Sequence, residues 1–308
     1  MRRPSIVISA CVAFALAGAV AFQPARGQNA NYKSATGADS AITPHAQRSS
    51  PLDLEIAGDL RGSPPGAARY LTRADLLALP QVTYFVKDDS NFTRPTKVSG
   101  VPLDEMERRL AAKPDADLVV AICDDLYRAN YPRIYIRAHH PLLVLTIDGK
   151  PPSDWPKDSE THRYEMGPYM ISQQKFTPSF KILAHADEAQ NPWGVVRIEF
   201  RDEKEVFGAI APRGPHASDP ALQSGYRIAE QNCFRCHNMG KEGGQKSGLS
   251  WAALSAIANA SPGLFGAYVR NPRAKNAHSQ MPGRPDYDDA TIGALTEYFR
   301  TFSRQENR

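Results

Sequence analysis

The feature that most constrains this chain is Asn232-Cys233-Phe234-Arg235-Cys236-His237, a Cys-x-x-Cys-His run in its last third. Two thiols three residues apart, with a histidine directly behind them, have the spacing of covalent haem attachment. Cys233 and Cys236 would add to the haem vinyl groups, and His237 would become an axial iron ligand.

Cys-x-x-Cys also marks zinc sites and thioredoxin-like redox centres. Zinc would need a second pair of ligands. The chain has four cysteines, and with Cys11 in the leader only Cys123 is left over. A thioredoxin-like centre would sit in a βαβ unit, whereas this motif follows a predicted helix and precedes a glycine-rich loop. The same cysteine count excludes a disulfide framework. Cys123 ends the apolar run Leu118–Cys123 and is expected to pack as a small hydrophobe in a buried strand.

The sixth iron ligand must come from further along the chain. Met239 follows His237 too closely to reach the opposite haem face. Met281, in Ser279-Gln280-Met281-Pro282-Gly283, sits in an irregular loop whose approach Pro282 stiffens. Met281 is therefore the expected second axial ligand, with His278 as the alternative. Methionine ligation would keep the reduction potential comparatively high.

The chain begins Met1-Arg2-Arg3-Pro4, followed by an uncharged, Ala-rich stretch from Ser5 to Phe22. Residues 1–27 read as a secretory signal peptide, cleaved after Ala21 or Gly27. An uncleaved membrane anchor facing the periplasm is the competing reading, because the apolar run approaches spanning length. Ile8-Ser9-Ala10-Cys11 is not taken as a lipidation site, since the apolar core continues past Cys11. Export to the periplasm agrees with bacterial haem attachment outside the cytoplasm. Without Arg2 and Arg3 the 37 basic residues become 35 against 33 acidic ones, and no Lys/Arg block appears. Nucleic acid is thus excluded as a partner.

At 308 residues the chain exceeds a single haem-binding module, which implies two domains. Residues 28–51 are polar and small, and read as a flexible spacer. Residues 52–208 mix short helices with strands, an α+β, mostly β domain. Helices are expected from Thr72, as N-cap, to Leu79 and from Pro102 to Ala112. Strands are expected at Val82–Val86, Asp117–Cys123, Arg133–Arg137, Pro141–Ile147 and a half-buried Trp193–Phe200. A linker at 209–218 leads to an all-α, monohaem domain at 219–304. Its helices are expected at Ala221–Gln231, Ser250–Asn259, Gly263–Arg270 and Asp288–Phe302. His139-His140 and Asp124-Asp125 read as surface or turn residues, and Arg128, Arg133 and Arg137 as scattered exposed cations.

Residues 219–302 resemble a class I cytochrome c. The matching features are Gly225-Tyr226, the Cys233–His237 motif, Asn271-Pro272, Met281-Pro282 and Leu295-Thr296-Glu297-Tyr298-Phe299. The resemblance implies that the first and last helices cross, with Gly225 against Tyr298 or Phe299. Residues 70–201 resemble the sulfite-oxidase-type molybdopterin domain, on Leu71 to Pro80, Gly100-Val101-Pro102-Leu103, Asp124-Asp125-Leu126-Tyr127, Asp148-Gly149-Lys150-Pro151, Gly167-Pro168-Tyr169 and Trp193 to Ile198. Catalytic members of that family bind molybdenum through a cysteine after the first strand. Tyr84 to Thr93 contains none, so the resemblance implies a cofactor-free docking or scaffold domain.

Together these readings describe an exported electron carrier with one covalent haem c. It would take electrons from a periplasmic dehydrogenase and pass them to another cytochrome or an oxidase. The alternative is an oxidoreductase with a molybdopterin site in the first domain and haem as its electron exit.

Overall fold

The computed structural model describes residues 41–64, 66–155, 166–176, 181–183, 185–186 and 190–302. The expected signal peptide and most of the expected spacer lie outside the described residues. Among the described residues no helix is long and apolar enough to cross a membrane.

The N-terminal region opens with β1 (Leu54–Gly58) and β2 (Arg69–Leu71), then α1 (Arg73–Ala78). A reciprocal capping box starts α1: the Asp75 N–H donates to Thr72 Oγ1 at 3.1 Å, and the Thr72 N–H to Asp75 Oδ2 at 2.8 Å. There follow β3 (Val82–Val86), β4 (Thr96–Pro102), α2 (Leu103–Arg109), β5 (Leu118–Cys123), β6 (Arg128–Pro132), α3 (Arg133–His139), β7 (Leu142–Ile147) and β8 (Met170–Ser172). A two-residue pair, β9 (Lys181–Ile182) and β10 (His185–Ala186), precedes β11 (Val195–Arg201) and α4 (Glu203–Gly208).

Two sheets organise this region. One has the order β2-β1-β11-β5-β6, with only β1 and β11 parallel; the other is the antiparallel β3-β4-β7-β8. Leu54, Ile56, Val119, Ala121, Cys123, Ile198 and Phe200 from the first sheet meet Val101, Leu143 and Ile171 from the second, with Leu76 and Met106 of the helices, in one core. Tyr84, Val98, Val144 and Met170 form a second cluster that includes Trp155.

The expected strand at Arg133–Arg137 is instead α3. A strand would place Ile134 and Ile136 on one face. In the structure Ile134 is 79 % exposed and Ile136 is buried, a separation only the helical period provides. The strand lies just before it, in β6, whose Arg128, Asn130 and Pro132 conceal the buried pair Ala129 and Tyr131. His139 therefore ends a helix and His140 caps it in the left-handed conformation, φ +47°. Residues 41–51, assigned to the spacer, are also held. His45 pairs with Tyr70 through two backbone hydrogen bonds, and Ile42 donates to the Arg109 carbonyl at 2.9 Å. Small polar residues here satisfy a strand edge rather than float.

The C-terminal region is helical: α5 (Pro220–Ile228), α6 (Trp251–Ala260), α7 (Pro262–Arg270), α8 (Pro272–Lys275) and α9 (Asp289–Arg300). Among its described residues, strand occurs only in a short hairpin, β12 (Asn238–Met239) with β13 (Glu242–Gly243).

All six residues of β5 are buried because they serve two cores. Val119, Ala121 and Cys123 point into the N-terminal core. Leu118, Val120 and Ile122 point the other way and cluster with Phe207, Phe234, Trp251, Leu295 and Phe299. Each such side chain contributes about 1.5–3 kcal/mol by burial, so the sheet and the helices stabilise one another. The polar face of β11 is likewise covered. Glu199 is buried between Arg197 and Arg201, and Arg201 reaches Glu242 at 2.7 Å. The strand expected to be half-exposed instead lines an interface. The segment 209–218 is tied down too: Ile210 is buried, and its carbonyl accepts the Tyr298 hydroxyl at 2.5 Å.

Candidate haem site

Asp219 starts α5 by accepting the Ala221 N–H at 2.8 Å, with Pro220 in the first helical position. Asp288 starts α9 in the same way, accepting the Thr291 N–H at 2.8 Å. The two helices cross at Gly225. A β-carbon there would lie 2.1 Å from the Ala294 carbonyl oxygen and 2.8 Å from Tyr298 Cβ, so only glycine permits the approach. Tyr226 packs beside Tyr298 at 5.9 Å between ring centroids.

A π-helical turn, Ala229–Cys233, ends α5 at the first cysteine. Such turns are uncommon and concentrate at functional sites. The Cys236 and His237 N–H groups then both donate to the Cys233 carbonyl, at 3.1 and 2.9 Å. One tight turn thus presents both thiols and the imidazole together.

His237 is buried, and its Nδ1 lies 2.7 Å from the Leu249 carbonyl oxygen. That acceptor fixes the proton on Nδ1 and makes Nε2 the unprotonated ring nitrogen, the form that a metal donor requires. Burial lowers the His237 pKa, partly offset by the Leu249 bond, and so favours the neutral imidazole that metal binding requires. The segment carrying Leu249 reaches this position because Gly243 and Gly244 fold tightly over the motif. Gly243 has φ +87°, and a β-carbon on Gly244 would lie 1.7 Å from the Arg235 carbonyl oxygen.

Met281 is half-buried and packs against the C-terminal core. Its N–H donates to Ser279 Oγ at 3.3 Å, and Tyr268 donates to the same oxygen at 3.2 Å. His278, the alternative ligand, is exposed. Its placement fits an iron ligand less well than that of a side chain already packed on the core.

Glu230, in the π-turn, is a functional candidate that sequence reasoning missed. Burial pushes its carboxyl up to about 7; the Tyr226 hydroxyl bonded to it works in the opposite direction, and Glu203 adds to the rise. Arg235, Glu242 and Lys246 were missed as well. Arg235 Nη1 donates to Tyr127 Oη at 3.1 Å, Lys246 pairs with Asp125, and Arg128 approaches Glu242 at 3.6 Å. Asp125 and Arg128 are therefore interface residues rather than a solvated turn and a stray cation. No sequence signal links them, because each pair is separated by more than a hundred residues.

In the N-terminal region the segment after β3 has no cysteine. Its Asp89 is buried and accepts from Ser172 Oγ at 2.7 Å, Asn191 Nδ2 at 2.6 Å and the Asn91 N–H at 2.9 Å. Cys123 is buried in β5, as expected for a core residue, and burial pushes its thiol well up. Among the described residues no group of three or more His, Cys, Asp and Glu side chains is placed to hold a metal ion. Among the described residues, then, the motif is not part of a tetrahedral zinc site.

Residues 220–299 match the family described as cytochrome C oxidase, cbb3-type, subunit III. The C-terminal region is a cytochrome c domain. A cytochrome c domain binds haem, carries electrons and works with redox-protein partners. The chain is multidomain, with this helical domain following a sheet-rich region. Among solved structures it is similar to the sulfane dehydrogenase SoxCD from Paracoccus pantotrophus, at 17 % identity and a TM-score of 0.33. That match covers 56 % of this chain and 45 % of the other, so the chain spans less than half of that protein's length. No curated protein matches.

Proposed function

We propose that this protein is an exported electron carrier with one covalent haem, held by Cys233 and Cys236 and ligated by His237 and Met281. The observation that carries the reading is the buried His237, with Nδ1 committed to Leu249 and both motif cysteines, neither in a disulfide, on the same turn. When bound, haem supplies a one-electron couple between ferrous and ferric iron. The chain's own residues fix the imidazole, pack Met281 toward the site and exclude water through the aromatic core around Phe234, Trp251 and Phe299.

The partners of this reading are a periplasmic dehydrogenase as donor and a cytochrome or oxidase as acceptor. The N-terminal region, residues 52–208, serves as the docking scaffold and the 1–27 segment as the export signal. The donor set of that region supports a role without molybdenum. The segment expected to carry a thiolate holds Asp89 instead, fully engaged by neighbours, and Cys123 faces a core. Iron without molybdenum in the purified protein is the expected metal analysis. Near-stoichiometric molybdenum would favour the oxidoreductase alternative.

A pyridine haemochrome spectrum of the purified protein should show the c-type signature; its absence would end the haem reading. Met281→Ala should remove the sulfur-to-iron charge-transfer band and lower the potential. An unchanged spectrum would transfer the ligand role to His278.

A further inference from the structure

Glu242 stands in β13, paired across the hairpin with Met239, while its neighbour Gly243 pairs with Asn238, the residue directly after His237. It is only 4 % exposed, and haem attachment gives no reason to bury an acid there. The N-terminal region supplies the reason. Arg201 of β11 donates to Glu242 Oε1 at 2.7 Å, and Arg128 of β6 approaches Oε2 at 3.6 Å. Arg201 is itself backed by Glu199 at 3.3 Å, Glu199 by Arg197 at 2.5 Å and Arg197 by Glu55 at 2.8 Å. Charges of alternating sign therefore run along the N-terminal sheet and end on the hairpin that follows the haem motif. Gly243 packs so closely there that a β-carbon would lie 2.6 Å from the His237 carbonyl oxygen. The chain then crosses the motif. The Gly244 N–H donates to the Phe234 carbonyl at 2.8 Å, and the Ser247 N–H to the Cys236 carbonyl at 2.9 Å. Gln245 and Lys246 return to the β5–β6 turn, at the Leu126 carbonyl and at Asp125. The crossing ends at Leu249, whose carbonyl accepts from His237 Nδ1.

We propose that Glu242 is a positioning residue through which the N-terminal sheet holds the Leu249 carbonyl against His237. Between β13 and α6 the chain forms no regular element, so its path is set by what grips it. A buried ion pair grips firmly, because separating it strands a charge in a dry interface. The segment that ends at Leu249 is therefore fixed to the sheet where it begins. The bond at its far end bears on electron transfer. A Nδ1 proton shared with a carbonyl makes the imidazole a stronger donor through Nε2, which favours ferric iron. Loosening that bond favours ferrous iron and raises the potential. This inference rests on the haem reading above and gives the region without a haem motif a part in setting the potential.

The test uses the full-length haem-loaded protein. Potentials come from spectroelectrochemical titration, and solvent exchange of the His237 Nδ1 proton from NMR of the reduced form. Glu242→Gln should keep its haem and speed that exchange about tenfold. It should also shift the one-electron equilibrium about tenfold toward the reduced form, about 59 mV upward. Arg201→Gln should move both readouts in the same directions, and Arg201→Lys, which keeps the cation, should restore most of the parental values. Charge alone would shift the potentials of Glu242→Gln and Arg201→Gln in opposite directions, since one loses an anion and the other a cation; that result overturns the proposal. So does a haem-loaded Glu242→Gln protein with parental exchange and potential. If either variant fails to fold, Arg128→Gln, which leaves the 2.7 Å pair in place, decides. It should show faster exchange and a smaller rise in potential, and parental exchange overturns the proposal equally. Absence of the c-type haemochrome signal from the parent protein would instead overturn the haem reading, and this inference with it.

Discussion

Asp89 in the N-terminal region and His237 in the C-terminal region are both buried polar side chains in loops between regular elements, but their bonding capacity is used differently. Asp89 receives three donors, from Ser172, Asn191 and the Asn91 backbone. His237 commits Nδ1 to Leu249, and the proposed function assigns its other ring nitrogen to a ligand. The cysteines beside it are in no disulfide among the described residues. A loop that satisfies its own polar groups serves structure, because burying them unpaired would cost about 1–3 kcal/mol each. A loop built to present unused valences at a rigid place serves chemistry.

The sharpest way to break this comparison is to remove the attachment. Cys233→Ala with Cys236→Ala should abolish covalent haem, read as loss of haem staining after denaturing electrophoresis, while Asp89 variants retain it. Phe234→Ala tests whether the two regions stand or fall together. Phe234 is fully buried, 5.5 Å from the Trp251 ring and 6.2 Å from that of Phe207. Its loss should cost about 3–5 kcal/mol in denaturant unfolding. The expected result is one shifted transition; two separate transitions would show that the regions unfold independently. Asp89→Ala should cost about 2–3 kcal/mol by leaving buried donors unpaired, with the haem spectrum unchanged.

Glu230 gives an effect that appears only as pH rises, with a sign that distinguishes it from an ion-paired acid. Its carboxyl ordinarily titrates near 4.5 and is raised to about 7 here, first by burial. The folded protein therefore favours the protonated form. The stability this provides is complete below pH 4.5 and is lost as pH rises through about 7. The decline should reach about 3.5 kcal/mol, at about 1.4 kcal/mol per pH unit between pH 4.5 and about 7. Glu230→Gln should flatten it in thermal unfolding followed across that range.

Local signals were legible in the sequence wherever one element carried its whole explanation. Thr72 with Asp75 marked the start of α1, and Val82–Val86 read as a strand. The last helix was expected at Asp288–Phe302 and lies there, and the resemblance to class I cytochromes c implied its crossing with the first at Gly225. The haem motif was legible for the same reason, since Cys233, Cys236 and His237 lie on one turn. Illegible were α3, whose β-branched residues suggested a strand, and β6, whose polar residues hid one. Both were decided by which face the rest of the molecule covered.

Sequence alone showed the Cys-x-x-Cys-His motif, the helical frame around it and the absence of a cysteine between Tyr84 and Thr93. Only the tertiary structure decided that β5 feeds two cores, and that Arg128, Arg201 and Glu242 join across the regions. It alone placed Arg235 in the grip of Tyr127. Covalent and capping chemistry acts over three or four residues and leaves a local pattern. Burial and charge pairing act through space, between residues that the chain separates by a hundred or more.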